Sequence, residues 1–484
     1  MKYKHLKSGS DIRGVASGEN ITLNVQLASV FALAFVEFLR EKYPQKQLRV
    51  AVGHDCRVSS PALAEAVAKG LASGGADVLF CGGATTPSMF FATKYQESDC
   101  DGSIEITASH LPPERNGLKF FTKDGGLEGK DIEWILNKAE QVAPAETAGT
   151  ITDFDIMTPY SAQLCDLICK YTGKDRPFEK QKIIVNAGNG MGGFFEERVL
   201  RALGADTTGS VNLTPDGTFP VHIPNPENRA AMDATAQATV AAGASLGICF
   251  DTDCDRAAIV DGNGKNINSS TLIALISAIL LEEMPGSTIV TDSVTSAGLK
   301  TFIEAKGGRH HRFKRGYKNV IDEAKRLESE GISAPLAIET SGHAALKENS
   351  FLDDGAYLVV RLLCKAAELA VKGKQLSDLI ADLSEPVESR EIRLNITEQD
   401  FRAYGQRVLA DFERYISKIG TIESPSFEGV RANFDESCGA GWILMRLSVH
   451  DPVLPINIES DKIGGCDIIE GYLREFLKGY DKLK

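Results

Sequence analysis

The 484-residue chain has no run of 18 apolar residues, and its first ten residues are basic and polar. A membrane-spanning helix needs about 20 apolar residues, and an export signal needs an apolar stretch behind a charged start, so neither is expected. A cytoplasmic location with no membrane partner is the resulting expectation. Positive charge is also in deficit: 53 Lys and Arg against 66 Asp and Glu leave a net −13, which argues against nucleic acid as a partner. The ten cysteines form no C-x₂-C pair; Cys165 and Cys169 stand at helical spacing, and Cys249 and Cys254 flank an acidic run. Reduced thiols are the simpler expectation than a zinc frame. Composition is otherwise ordinary for a soluble globular chain, 43% apolar and 7% aromatic, and the length suits three or four domains.

The most informative segment is Asp251-Thr252-Asp253-Cys254-Asp255, followed by Arg256 and preceded by the apolar Leu246-Gly247-Ile248-Cys249-Phe250. Three carboxylates that close repel unless water or a hard divalent ion, Mg²⁺ or Ca²⁺, neutralises them. A loop at the end of a buried strand favours the ion and leaves coordination positions open for a phosphate or substrate. An acidic surface turn is the plain alternative. An EF-hand does not fit, because Arg256 and Gly262 stand where that loop needs Gly and Glu. A phosphatase with Asp251 as nucleophile also fits the run.

A second segment, Thr107-Ala108-Ser109-His110-Leu111-Pro112-Pro113 with Asn116-Gly117-Leu118-Lys119-Phe120, follows the strand-like Gly102–Ile106. Two prolines stiffen the turn and hold Ser109 outward at a cleft; a simple turn serine is the alternative. A Ser-His nucleophile pair is disfavoured, since adjacent side chains rarely bond productively and no G-x-S-x-G elbow is present.

Taken together these motifs resemble the α-D-phosphohexomutases, with bacterial phosphomannomutase/phosphoglucomutase nearest in motif. The Thr107–Lys119 segment is similar to the family's phosphoserine loop and residues 250–261 to its metal loop. Glu339-Thr340-Ser341-Gly342-His343 resembles the sugar-recognition loop, and Gly441-Trp442 with Arg446-Leu447-Ser448 resembles the phosphate-binding loop. Ser10–Gly14 and Val52–Ser60 resemble further signatures. The likeness spans about residues 8 to 460. Departures are Ile338 and Thr252 where glycines are usual, and His450-Asp451 where the last loop usually carries Thr followed by Glu or Thr.

The resemblance implies an isomerase of the phosphotransferase type. Phosphate moves reversibly between C1 and C6 of glucose or mannose phosphates, through a phosphoserine at Ser109 and a hexose 1,6-bisphosphate that also serves as activator. Phosphoglucosamine mutase and a Mg²⁺-dependent sugar phosphatase are the alternatives. One Mg²⁺ per chain is implied on Ser109, Asp251, Asp253 and Asp255. Lys119, Arg256, Arg13 and His343 are the candidates for proton transfer and charge stabilisation. Glu339, Ser341 and Lys318 are implied sugar contacts, and Arg446, Ser448 and His450 phosphate contacts. The partners implied are small sugar phosphates, on a monomer or weak dimer.

A glycine-rich turn, Gly188–Gly193 after Lys182–Asn186, meets the G-x-G-x-x-G pattern with Asp206 at a ribose-like distance. The mid-chain position and the family resemblance make it packing geometry rather than a dinucleotide site. Strand and amphipathic-helix patterns alternate from Leu48–Val52 and Ser60–Ser73, restarting near residues 183 and 287, the mark of α/β domains. The expected architecture is α/β with four domains around a central cleft. Three related mixed α/β domains (1–155, 156–262, 263–375) precede a C-terminal α+β domain (376–484) on a short polar linker that would let it hinge.

Overall fold

The strand Arg49–His54 is small and β-branched, buried from Val50 to Gly53, and lies between two parallel neighbours, Asp77–Gly83 and Gly102–Ile106. Its crossover to Asp77–Gly83 is the helix Ser60–Ser73, which starts with Pro61 and turns Leu63, Val67 and Leu71 inward at helical spacing. A computed structural model describes residues 2–448 and 451–484, and the chain folds as two compact units.

The first unit comprises Met1–Asn268 and Ser341–Asp378. Its first sheet is mixed: Arg115–Thr122 runs antiparallel to Gly102–Ile106, and Asp11–Val15 runs antiparallel to Arg115–Thr122. This register sets Glu105 opposite Lys119 and Arg13 opposite Gly117. In its second sheet Ile183–Asn186 is parallel to Leu246–Phe250, which returns antiparallel as Ala257–Asp261. Phe250 pairs with Ala257, so the acidic run forms the tip of a hairpin, and every residue from Asp251 to Arg256 is buried. The glycine-rich turn packs against that tip. Met191 N donates to Thr252 O at 2.8 Å, and a Cβ on Gly190 would fall 2.8 Å from Thr252 Cα. The helix Gly355–Val371 closes this unit, N-capped by the Asp354 carboxylate, which accepts from Tyr357 N.

The second unit comprises Ser269–Thr340 and Leu379–Lys484. Thr288–Thr291 lies between the parallel strands Arg309–Arg312 and Leu336–Ile338, and its helices include Ser269–Glu283 and Tyr317–Ser329. Beyond residue 387 comes an antiparallel sheet with strand Glu388–Asn395 beside Val453–Ser460, then Gly441–Met445, Val430–Phe434 and Thr421–Ile422. Helices Phe401–Ile416 and Gly465–Leu477 cover it. They are separated in sequence by four of the strands. Arg431 joins the two sheets of this unit. Its guanidinium stacks on Trp442 at 3.6 Å and donates to Ser293 O at 2.9 Å and Thr295 O at 3.0 Å.

Candidate active site

Ser109 sits just past the strand Gly102–Ile106 with φ +49°, a left-handed turn conformation, and is 1% exposed. The loop is shaped from beneath by Arg57, whose guanidinium donates to Pro112 O (2.7 Å), Leu111 O (2.7 Å), Arg115 O (3.0 Å) and Ser109 O. Asp55 orients Arg57 at 3.0 Å and accepts from Thr107 Oγ1 at 2.8 Å, while Thr107 Oγ1 in turn accepts from Ser109 N at 2.9 Å. These fully buried polar groups satisfy one another and hold the turn in one shape.

The Ser109 hydroxyl donates to Asp251 Oδ2 at 2.9 Å and accepts from Arg256 Nη2 at 2.9 Å. Arg256 Nη2 also meets His110 Nδ1. Burial and the adjacent Arg256 push the His110 pKa down to about 2, so the ring is neutral and Nδ1 accepts. Lys119, 3% exposed, binds Asp255 Oδ2 and lies 3.4 Å from Asp253 Oδ2. Thr86, opening the helix Thr86–Ala92, anchors Asp253 through Oγ1 at 2.5 Å and through its backbone N–H at 3.0 Å. His343 reaches the same cluster: Nδ1 is 2.6 Å from Asp353 Oδ2 and 3.8 Å from Asp255 Oδ1. Burial would lower the His343 pKa, and Asp353 and Asp255 outweigh it and raise the value. Arg13 donates to Asp11 at 2.8 Å and is a positive neighbour of His110. Gly355 allows the close approach beneath Arg256, since a Cβ there would stand 2.5 Å from the Arg256 carbonyl carbon.

Oxygens of Asp251, Asp253 and Asp255 lie within 4.8 Å of one another. Burial and the two neighbouring carboxylates raise the Asp251 pKa. Asp255 is held low despite burial by Lys119, His343 and Arg256. Oδ1 of Asp253 and Oδ1 of Asp255 are buried, with no hydrogen-bond partner among the described residues. A hairpin tip of three buried carboxylates with unsatisfied oxygens is the donor set a hard oxygen-seeking cation requires.

In the second unit, Arg446 (9% exposed) has Nη1 3.9 Å from Glu428 Oε1. Glu428 accepts from Ser293 Oγ at 2.5 Å and from Arg315 N at 3.1 Å. Arg315 Nε stands 4.0 Å from the buried Asp292, and Arg315 is a positive neighbour of Arg446. Glu339 accepts from Gly316 N at 2.6 Å, and Lys318 is paired with Asp322 at 2.5 Å on its own helix. Ser448 Oγ accepts from Asp451 N at 3.2 Å. Ser341 belongs to the first unit, and its buried Oγ has no hydrogen-bond partner among the described residues. His450 lies outside the described residues.

Models of the phosphoglucomutase/phosphomannomutase alpha/beta/alpha domains I, II and III match residues 4–145, 160–264 and 268–387. The chain belongs to this family. Phosphoglucomutase/phosphomannomutase of Thermococcus kodakarensis is 31% identical over 455 residues, 93% of each chain. Phosphoglucomutase of Neisseria gonorrhoeae is 29% identical, covering 89% of this chain and 88% of that one. The crystal structure of a phosphoglucomutase/phosphomannomutase family protein from Burkholderia thailandensis superposes with a TM-score of 0.82 at 26% identity, covering 98% and 97% of the two chains. This phosphohexomutase therefore has three family α/β domains and a further C-terminal domain.

Ser109, Asp251, Asp253, Asp255, Arg256, Lys119 and His343, chosen from sequence, converge in the first unit of this phosphohexomutase. Sequence reasoning gave no role to Asp55 and Arg57, which build the serine loop, or to Thr86 and Asp353, which hold Asp253 and His343. It also passed over Arg315, Glu428 and Asp292 beside Arg446. The available signal was the Asp-x-Arg spacing at 55–57 right after a buried strand, where charge is costly unless paired.

Proposed function

We propose that this phosphohexomutase interconverts hexose 1-phosphates and 6-phosphates through a phosphorylated Ser109. The observation that carries the proposal is the Ser109 hydroxyl held between Asp251 and Arg256 at 2.9 Å each, at the mouth of the carboxylate triad. Asp251, Asp253 and Asp255 with a Ser109 oxygen would hold a Mg²⁺, which would supply charge neutralisation for the phosphoryl group and electron withdrawal from phosphorus. In the forward half-reaction a sugar hydroxyl oxygen bonds to phosphorus as the P–Oγ bond of phosphoserine breaks. Arg256 stabilises the charge on Oγ and on the transferring group. The proton lost by the sugar hydroxyl goes to a neighbouring base and returns in the reverse half-reaction. Lys119, His343 and Arg13 are the groups assigned to this exchange, and Asp353 at Nδ1 directs His343 to exchange through Nε2. The intermediate is a hexose 1,6-bisphosphate, which turns over so that its other phosphate meets Ser109.

Arg446, Ser448 and His450 are assigned to the non-reacting phosphate, with Arg315 added because two neighbouring guanidiniums suit a dianion. Glu339, Ser341 and Lys318 are assigned to ring hydroxyls. Lys318 would exchange Asp322 for substrate. Hydroxyls at positions 3 and 4 are shared by glucose and mannose, so both 1-phosphates are proposed substrates. The proposal extends to one Mg²⁺ per chain, activation by the bisphosphate, a monomer or weak dimer in solution, a cytoplasmic location, and domain boundaries near 156, 262 and 375. Among the described residues no helix is long and apolar enough to cross a membrane. The test is turnover of glucose, mannose and glucosamine 1-phosphates side by side, with and without bisphosphate. Turnover of the first two that depends on bisphosphate supports the proposal. Release of free phosphate instead would make the chain a phosphatase, and preference for the amino sugar would move it to the phosphoglucosamine branch.

A further inference from the structure

Glu105 is an ionisable side chain beside the triad that the proposed chemistry leaves unused. It is fully buried, and among the described residues neither carboxyl oxygen has a hydrogen-bond partner. A buried acid with no partner is costly, and native structures retain few of them without a reason. Its position supplies one. Glu105 is the cross-strand partner of Lys119, so both side chains leave the sheet on the same face, with Cβ atoms about 5 Å apart. Its Oε2 lies over Gly53, 2.8 Å from where a Cβ would stand, in the space bounded by Ala84 and Met89. Burial first, then Asp55 and Asp253, disfavour its charged form, and Lys119 is the neighbour that favours it.

Lys119 meanwhile occupies ground a metal ion needs. Its ammonium binds Asp255 and approaches Asp253 to 3.4 Å, the two carboxylates with unsatisfied Oδ1 atoms. A divalent cation sharing those carboxylates is repelled by an ammonium held between them. The lysine stem is flexible enough to move its head group several ångströms without moving the backbone.

We infer that Glu105 is a second seat for the Lys119 ammonium: when a divalent cation takes Asp253 and Asp255, Lys119 transfers from them to the Glu105 carboxyl. This rests on the reading of the triad as a metal site. Glu105 is thereby a positioning residue that lowers the cost of loading the ion and sets where the Lys119 amine waits for substrate.

The test is a double-mutant cycle on the full chain, read as Mn²⁺ affinity by calorimetry with Mn²⁺ alone as the probe. In the presence of Lys119, Glu105→Met is expected to weaken Mn²⁺ binding about tenfold, the low end of the usual effect of a supporting residue behind a metal ligand. Glu105→Gln, which keeps an acceptor oxygen, is expected to recover part of that loss. Lys119→Met alone is expected to tighten binding, and adding Glu105→Met to it is expected to change nothing further. Replacing an unpartnered buried acid by Met in apolar surroundings should leave the fold intact, which circular dichroism checks. Equal weakening by Glu105→Met in both backgrounds, or no weakening in either, overturns the transfer and leaves the triad as a metal site. Absence of Mn²⁺ binding by the wild-type chain overturns the metal reading itself.

Discussion

Around Ser109 the three carboxylates meet Lys119, Arg256 and the imidazole of His343, and among the described residues two carboxylate oxygens stay unsatisfied. Around Arg446 the balance is different: two guanidiniums, Arg315 and Arg446, face Glu428 and Asp292. The first centre presents carboxylate oxygens of the kind a hard cation takes. In the second, Arg446 Nη1 stands 3.9 Å from Glu428 and Arg315 Nε 4.0 Å from Asp292, the donor pair proposed above for a dianion. Their construction differs as well. The triad comes from one hairpin tip of consecutive residues, whereas the arginine cluster draws on positions 292, 315, 428 and 446, far apart in sequence.

Substitutions in the two centres should separate along the same line. The largest effect is expected from Ser109→Ala, which removes the oxygen proposed to carry phosphate. Turnover should vanish, and the chain should no longer incorporate label from radiolabelled bisphosphate. Asp253→Asn should follow. It leaves Thr86 an acceptor but removes a charge from the triad, and Mn²⁺ affinity by calorimetry should fall by about 100-fold or more, with kcat falling alongside. Arg446→Gln should act on the other side of the comparison. Loss of a charge-assisted phosphate contact is expected to raise KM by about 10-fold or more, with a smaller change in kcat and none in Mn²⁺ affinity. If Arg446→Gln lowered Mn²⁺ affinity, or Asp253→Asn raised only KM, the division of labour between the centres would be wrong.

The smallest effect concerns stability. Burial raises the pKa of Asp354, the cap of the helix Gly355–Val371, to about 7. The folded chain therefore holds this proton more tightly than the unfolded chain. The resulting stabilisation is complete below about pH 4 and is lost as pH rises toward 7. Asp354→Asn is expected to flatten the slope of unfolding free energy against pH across that window, measured by urea titration, and to leave Mn²⁺ affinity unchanged.

Much of the first centre was legible in the chain. An apolar strand ending in alternating aspartates favours a turn of converging carboxylates, because side chains two apart leave on one side, and the structure decides against the surface-turn alternative by burying Asp251–Arg256. The proline-braced Ser109 loop was legible for a similar reason, since two prolines forbid helix locally. The supports were not. Arg57 takes its part only where the fold brings it under four carbonyl oxygens, and Thr86 only where its hydroxyl meets Asp253.

By itself the sequence determined the α/β alternation, the loop after a buried strand that carries Asp251–Asp255 and the turn that carries Ser109, because each depends on short-range periodicity and on backbone preferences within a few residues. Tertiary structure alone decided that Ser109 meets Asp251 across 142 positions, that Lys119 faces Glu105 and reaches Asp255, and that Arg315 and Arg446 stand together. Those distances follow from strand order and register, which the buried faces of whole sheets select jointly and no local pattern encodes.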